Sequence, residues 1–381
     1  MAEQRRIRVA VVFGGRSSEH VISCVTAGSV LSAIDPERYE VIPVGITPRG
    51  DWVLTDGDPG QLAIRDGQLP EVAEDTGSSL ALPFHPDGSG LLQISPGAGP
   101  AALGEVDVVL PLLHGPFGED GTIQGLFEMV GTRYVGAGVL GSAACMDKVV
   151  LKVLLEGQGF TVGPYVGITD RQWRLERKRV LDDVAALATP GDTTGSTVGF
   201  VKPARAGSSV GITRVADLTD TDAVVAAIEA AREHDPKVLV EAAIEGREIE
   251  CGVLESPDGG WPEVSMPAEI HVDTEHDFYD FEAKYLAESD LTIPAELPAD
   301  VVEKLRRTAA AAFDAAECEG LARVDFFYGA DGTIYLNEIN TMPGFTPTSA
   351  FPQMWAASGV DYPALVDRLL RTALARRTGL R

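Results

Sequence analysis

Two acids, an amide and a guanidinium are spaced for metal chemistry in the last third of this 381-residue chain. In the stretch ARVDFFYGADGTIYLNEIN, Asp331-Gly332 is a two-residue turn signal between alternating strands; it sets Asp325 opposite Glu338 and Arg323 opposite Asn340. Side chains two apart share a face, so all four project from one side of a sheet. Opposed carboxylates repel, and a divalent cation between them resolves the repulsion with Asn340 as a third oxygen ligand. Oxygen-only ligands favour magnesium, which is usually held by one or two carboxylates plus phosphates, so this face implies a nucleotide. The competing reading is a salt-bridged surface set in which Arg323 satisfies both acids.

A second stretch suits phosphate. Val198-Gly199-Phe200-Val201-Lys202-Pro203 reads as a strand closed by a lysine, and Ala204 to Gly211 follow as a small-residue loop with Ser208 and Ser209. Backbone N–H groups of such a loop can cradle phosphates while the ammonium meets their charge. The loop is not the GxxxxGK[ST] pattern, and no GxGxxG fingerprint stands after a first strand. Taken alone, a glycine-serine loop is more often a simple turn. Lys148 opens a helical pattern in MDKVVLK and is equally readable as an exposed helix lysine beside Lys152.

These groups need elements to hold them. A β-branched run from Arg8 to Phe13, the turn Gly14-Gly15 and an apolar helical pattern to Ile34 predict strand, turn and helix, and strands at 39–47 and 106–113 complete a βαβ region with a parallel sheet. Residues 50–105, rich in Gly, Pro and Asp, read as a loose peripheral insertion with short strands. A helix is expected from Ser142 to Glu156, strands near 161–168 and 198–202, and polar, exposed chain over 169–195. Strands at 237–241, 247–254 and 263–270, a helix at 299–317 and the hairpin at 322–339 then form an α+β unit. Boundaries fall near 136 and 241.

Composition narrows the function. With 45% hydrophobic and 23% charged residues the chain is an ordinary globular one, and no apolar stretch reaches the ~20 residues a membrane span needs. The N-terminus lacks an apolar core with a small-residue cleavage site, so a cytoplasmic location is expected. Thirty-one basic against fifty-seven acidic residues give a net charge of −26, which repels nucleic acid and anionic membranes. There are seven lysines, so an anionic substrate requires a local cluster of them. Cys24, Cys145, Cys251 and Cys318 stand singly in apolar surroundings, as reduced core thiols do.

Six motifs now carry a specific resemblance. Gly14-Gly15-Arg16-Ser17-Ser18-Glu19-His20, His114-Gly115-Pro116-Phe117-Gly118-Glu119-Asp120-Gly121, Met146-Asp147-Lys148, the Lys202 to Gly211 loop, Glu282-Ala283-Lys284-Tyr285 and Asn337-Glu338-Ile339-Asn340-Thr341-Met342-Pro343-Gly344 resemble, in order, the D-alanine-D-alanine ligase family. The resemblance implies an ATP-grasp fold, α/β and α+β, with an N-terminal parallel-sheet βαβ domain at 1–136, a central subdomain at 137–241 and a C-terminal catalytic domain at 242–381. It implies a cytoplasmic, usually homodimeric enzyme that makes D-alanyl-D-alanine for peptidoglycan from D-alanine and ATP. Two Mg²⁺ are implied, with Mn²⁺ able to substitute.

The resemblance also distributes roles. Lys148 and Lys202 would hold phosphates, and Asp325, Glu338 and Asn340 the metal ions that bridge them. Arg323 and the Gly344 amide would stabilise the tetrahedral oxyanion. Glu19 would take the ammonium of the first D-alanine, with a helix first-turn role as the alternative; Ser17 or Ser18 reads as an N-cap. Lys284 and Ser349 would receive the second carboxylate. Tyr285 would join Glu19 and Ser208 in a hydrogen-bonded set across the site, carried on a lid formed by about residues 272–292. Glu241 and Glu248 belong to the adenine hinge, with Glu248 placed for the ribose and Ala242 where many members carry lysine. His114 and Glu119 are expected to position rather than to transfer protons. Acceptors such as D-lactate or D-serine are the alternative on the same fold, although Tyr285 accompanies the dipeptide product in the family. A nucleotide-binding regulator without turnover is the third reading, and it would be expected to have lost a member of the Arg323, Asp325, Glu338 and Asn340 set.

Overall fold

The computed structural model describes residues 5–65, 68–74, 78–81, 90–95, 97–188, 197–271 and 291–378. The first strand, β1 (Ile7–Gly14), is flanked by parallel partners on both sides, β2 (Tyr39–Ile46) and β7 (Val108–Pro111), after the helix α1 (His20–Ala33). Such a strand is covered on both faces, which is why it reads as an unbroken apolar run rather than an alternating one. One face packs Val9, Val11 and Phe13 against Cys24 and Ala27 of α1, and the other packs Ala10 and Val12 near Phe127. All four cysteines are buried and free, as expected.

Residues 50–105 are less peripheral than their composition predicts. β3 (Trp52–Leu54) extends the first sheet, and β4 (Ser79–Ala81), β5 (Gly90–Ile94) and β6 (Ala101–Glu105) form a small antiparallel sheet. Val72 is buried against Gly14 and Gly45, positions at which an added Cβ would collide with it. Its N–H donates to His20 Nε2 at 3.0 Å, which ties the stretch to the start of α1.

After α2 (Thr122–Met129) the expected helix from 142 to 156 is two helices, α3 (Val139–Met146) and α4 (Lys148–Gly157). Asp147 breaks them: its backbone is extended, and its side chain accepts from Val149 N and Val150 N as the N-cap of α4. The second sheet runs β10-β9-β11-β8, built from β8 (Tyr165–Ile168), β9 (Gly199–Pro203), β10 (Thr213–Val215) and β11 (Val238–Ala242). The polar chain over 169–195, expected to be exposed, begins with two largely exposed helices, α5 (Asp170–Leu175) and α6 (Arg177–Ala186), opened by a capping box between Thr169 and Gln172. Trp173 and Val184 pin them to the sheet together with α7 (Thr221–Arg232).

The third sheet centres on β12 (Gly246–Leu254), which pairs with β13 (Glu263–Val264) and β14 (Ala268–Ile270) on one edge, β15 (Leu291–Thr292) lying beyond β14. Its other edge meets the hairpin β16 (Leu321–Gly329) and β17 (Ile334–Asn340), and α8 (Ala299–Ala315) covers one face through Leu305, Ala309 and Phe313. The last helices, α9 (Ala350–Ala357) and α10 (Tyr362–Ala375), return to the first sheet: Phe351, Leu365 and Leu369 share a core with Val9 and Phe13. Each such side chain contributes roughly 1.5–3 kcal/mol on burial, so the two ends of the chain are held together by apolar packing.

Candidate active site

The hairpin delivers its polar residues as predicted, but by a different route. At the turn Gly329 N donates to Thr333 O at 2.9 Å and Tyr328 pairs with Ile334, so the loop is Ala330-Asp331-Gly332 with Gly332 at φ 81°. That register, continued, would put Asp325 opposite Asn337 and turn Glu338 and Asn340 to the other face. A bulge prevents it. Phe326 pairs with Leu336 while Asp325 pairs with Glu338, so Asn337 is the extra residue, and Arg323 then faces Asn340.

On this face Arg323 forks onto Asp325, Nε to Oδ1 at 2.8 Å and Nη2 to Oδ2 at 2.7 Å, and its Nε also lies 3.1 Å from Glu250 Oε1. Burial alone would lower the guanidinium pKa, but Asp325, Glu250 and Glu338 outweigh it and raise it well above its ordinary value. Arg323 thus forks onto Asp325 and also reaches Glu250, with the Glu338 charge acting on it as well. Glu250, which sequence reasoning missed, stands opposite Asp325 on β12; its alternation with Glu248 along that strand was the available signal. Asn340 Nδ2 donates to Asp325 Oδ2 at 3.1 Å and to Glu338 Oε1 at 3.4 Å.

Lys148 is the first residue of α4, and Asp147 fixes it there, since besides capping the helix it takes both carboxylate contacts of Lys237 at 2.8 Å. Lys148 Nζ donates to Ala206 O at 2.9 Å and lies 3.9 Å from Glu338 Oε2, so it joins the loop after β9 to the hairpin. Lys202 leaves β9 toward Glu241, with Nζ 2.7 Å from Oε2, and Lys152 reaches the other oxygen, Oε1, at the same distance. Burial works to raise the Glu241 pKa, but the two ammonium groups overcome it and hold the carboxyl far below the usual range. For Lys202, burial works downward and is outweighed by Glu241, then Glu338 and Glu248, so its pKa is raised. Glu241 was expected at the adenine hinge; its carboxylate is engaged by lysines. Glu248 is close enough to act on Lys202, on the strand where the hinge expectation put it.

The opposite wall comes from the N-terminal sheet. Ser17 does not cap α1, which has no side-chain cap; its Oγ donates to His114 O at 2.7 Å and accepts from Glu19 N at 3.2 Å. Glu19 is 5% exposed and accepts a hydrogen bond from Ser208 Oγ through Oε1. Its carboxylate lies against two glycines: a Cβ on Gly115 would collide with it, and one on Gly207 would come within 3.0 Å. Ser208 and Ser209 hold φ of 49° and 59°, left-handed values costly for non-glycine residues, at the point where Ser208 meets Glu19.

His114 and Glu119 both reach the loop that carries Gly344. His114 Nδ1 lies 3.2 Å from Met342 O, and its buried Nε2 has no hydrogen-bond partner among the described residues. Burial lowers the His114 pKa, against the attraction of Glu19. Glu119 accepts from Gly115 N at 2.6 Å and from Met342 N at 3.3 Å. Burial and the neighbouring Glu19 charge push its carboxyl up to about 8. Ser349 stands at the start of α9 with Oγ accepting from Thr346 N at 3.2 Å and 2.8 Å from Thr346 Oγ1, a local turn. Lys284, Tyr285 and most of the expected lid lie outside the described residues.

The fit to a metal can be read from the donors. Among the described residues no three His, Cys, Asp or Glu side chains cluster as a self-sufficient ligand set. Asp325, Glu338 and the Asn340 amide instead make a partial, all-oxygen set of the kind magnesium takes when phosphates complete its shell. The amide now offers Nδ2 to the acids, and Oδ1 is the end a cation would take.

A family model described as the D-ala D-ala ligase N-terminus matches residues 8–137, and one for the D-ala D-ala ligase C-terminus matches residues 154–371. The chain belongs to the D-alanine-D-alanine ligase family. It is 58% identical to the D-alanine-D-alanine ligase of Kineococcus radiotolerans over the whole of both chains, and 55% identical to that of Streptomyces coelicolor over 98% of this chain and 95% of the relative. Its structure is similar to that of the VanG D-Ala:D-Ser ligase from Enterococcus faecalis, with TM-score 0.81 and 33% identity over 97% of this chain and 100% of that one. It is also similar to the D-alanine-D-alanine ligase from Coxiella burnetii, with TM-score 0.76 and 31% identity over 98% and 94%. This family membership makes the chain an ATP-dependent ligase of the ATP-grasp fold that uses a divalent metal ion and small-molecule substrates. Among the described residues no helix is long and apolar enough to cross a membrane.

Proposed function

We propose that this chain joins two D-alanines into D-alanyl-D-alanine for peptidoglycan precursor synthesis, through an acyl phosphate. The observation that carries the reading is continuity. From Glu19 contacts run through Ser208 to the loop whose Ala206 O meets Lys148, on to Glu338, and through Asn340 to Asp325 and Arg323. In this reading the donor ammonium site, phosphate cations, metal acids and oxyanion cation lie along one continuous line of contacts.

A carboxylate is a poor acyl donor, so its oxygen first attacks the γ-phosphorus of ATP and ADP departs. Lys148 and Lys202 neutralise the phosphates, while Glu241 and Glu248 mark the adenine and ribose end. Bound at Asp325, Glu338 and Asn340, two Mg²⁺, for which Mn²⁺ can substitute, would offset charge on the transferring group. Glu19 holds the first ammonium, and His114 and Glu119 fix the loop bearing Gly344. Lys284 and Ser349 receive the second carboxylate. Ser208, Tyr285 and Glu19 orient the second amine and help remove its proton. The amine attacks the carbonyl, Arg323 and Gly344 N–H stabilise the oxyanion at ~3–4 kcal/mol per donor, and phosphate leaves with the former carboxylate oxygen. The first, second and third sheets correspond in this reading to domains at 1–136, 137–241 and 242–381, in a cytoplasmic homodimer.

A D-serine acceptor, the one named for the Enterococcus faecalis structure, is the second reading. The 33% identity to that structure against 58% to a D-alanine-D-alanine ligase favours D-alanine over D-serine, and Tyr285 in the resemblance argues against D-lactate. Phosphate release from ATP decides: D-alanine alone should sustain it and yield the dipeptide, whereas release that requires added D-serine or D-lactate overturns the assignment.

A further inference from the structure

Lys152 takes no part in the chemistry above, yet its side chain is only 3% exposed. It lies one helical turn after Lys148 on α4, over the Tyr165 ring at 5.6 Å, with its ammonium 2.7 Å from Glu241 Oε1. A buried lysine is costly unless paired, and a single Lys202–Glu241 pair would already satisfy that acid. Two ammonium groups on one carboxylate leave this buried triad with an excess positive charge.

We propose that Lys152 is a positioning residue for the nucleotide: by occupying Glu241 Oε1 it confines Lys202 to Oε2 and leaves positive charge at Lys202 for the phosphates. The inference rests on the reading of Lys202 as a phosphate ligand. Without Lys152, both Glu241 oxygens are available to Lys202, the pair becomes neutral, and the lysine is held back from the nucleotide. Glu338 and Glu248 also act on Lys202, behind Glu241 in strength, and they make the added charge more necessary.

The test uses the full-length enzyme. Lys152→Met should raise KM for ATP by roughly tenfold or more while KM for D-alanine stays within about twofold, and Lys152→Arg should restore most of the ATP affinity. Lys152→Gln keeps a hydrogen bond to Glu241 and removes only the charge, so it carries the same expectation if the Met variant does not fold. A folded neutral variant with unchanged KM for ATP, or one whose KM rises equally for ATP and D-alanine, overturns the proposal and leaves Lys152 a structural ion pair. Wild-type phosphate release from ATP with D-alanine is measured alongside. Its failure would count against the functional reading, whereas wild-type turnover with unaltered variants counts against Lys152 alone.

Discussion

Among the described residues, Glu338 meets Asn340 at 3.4 Å and Lys148 at 3.9 Å. Replacing it by glutamine removes charge from the metal face at nearly constant volume, so Glu338→Gln should lose about 100-fold or more in ligation while its melting curve stays close to wild type. Near-normal dipeptide synthesis by that folded variant would refute the metal assignment. In the proposed mechanism Tyr285 would separate an amine from a hydroxyl acceptor, since a site with a polar partner discriminates far better than one that only measures size. Tyr285→Phe should therefore lower dipeptide synthesis at neutral pH and raise the share of D-alanyl-D-lactate when both acceptors are offered, as read by mass spectrometry; an unchanged ratio leaves the ring as packing only. Asp325, Glu338, Arg323 and Asn340 were legible because strand alternation converts spacing into a shared face. Glu250 and Lys152 were not, because a partner on a neighbouring strand or helix leaves no mark at short sequence range.

Among the elements, the hairpin shows how a correct pairing can rest on an incomplete rule. The turn pattern suggested a two-residue loop; the third loop residue and the bulge at Asn337 offset each other, and only the second fixes which face Glu338 occupies. The break between α3 and α4 was hidden by the apolar run on either side, although aspartate before a helical pattern is an N-cap signal. Asp147 gives it a measurable consequence. Asp147→Ala should cost about 1–2 kcal/mol in stability and raise KM for ATP by misplacing Lys148, whereas Asp147→Asn keeps the cap and loses only the Lys237 ion pair. Equal melting temperatures for the Ala and Asn variants would contradict the capping role. The capping box before Trp173 was likewise readable from Thr169 and Gln172, but polar composition obscured it.

Across the whole molecule, Glu119 ties the N-terminal sheet to the loop at Met342, and its carboxyl, ordinarily at 4.5, is pushed up to about 8 first by burial and then by Glu19. A carboxyl raised on folding stabilises fully below its ordinary pKa, and that contribution fades as pH rises through the folded value. The unfolding free energy of wild type relative to Glu119→Gln should thus decline between pH 5 and pH 8, by at most about 1.4 kcal/mol per pH unit, in urea titrations. Parallel pH profiles for the two proteins would contradict it. The return of α10 to the first sheet could not be read from sequence, since an apolar helix face does not say which sheet it covers. The proposed reaction requires one bond to be made before another: carboxylate oxygen to phosphorus, then nitrogen to carbon. Supplying D-alanine labelled with ¹⁸O in its carboxylate, with unlabelled ATP, and weighing the released phosphate tests that order directly. The account predicts one labelled oxygen in each phosphate formed with the dipeptide; dipeptide accumulating with unlabelled phosphate would contradict it.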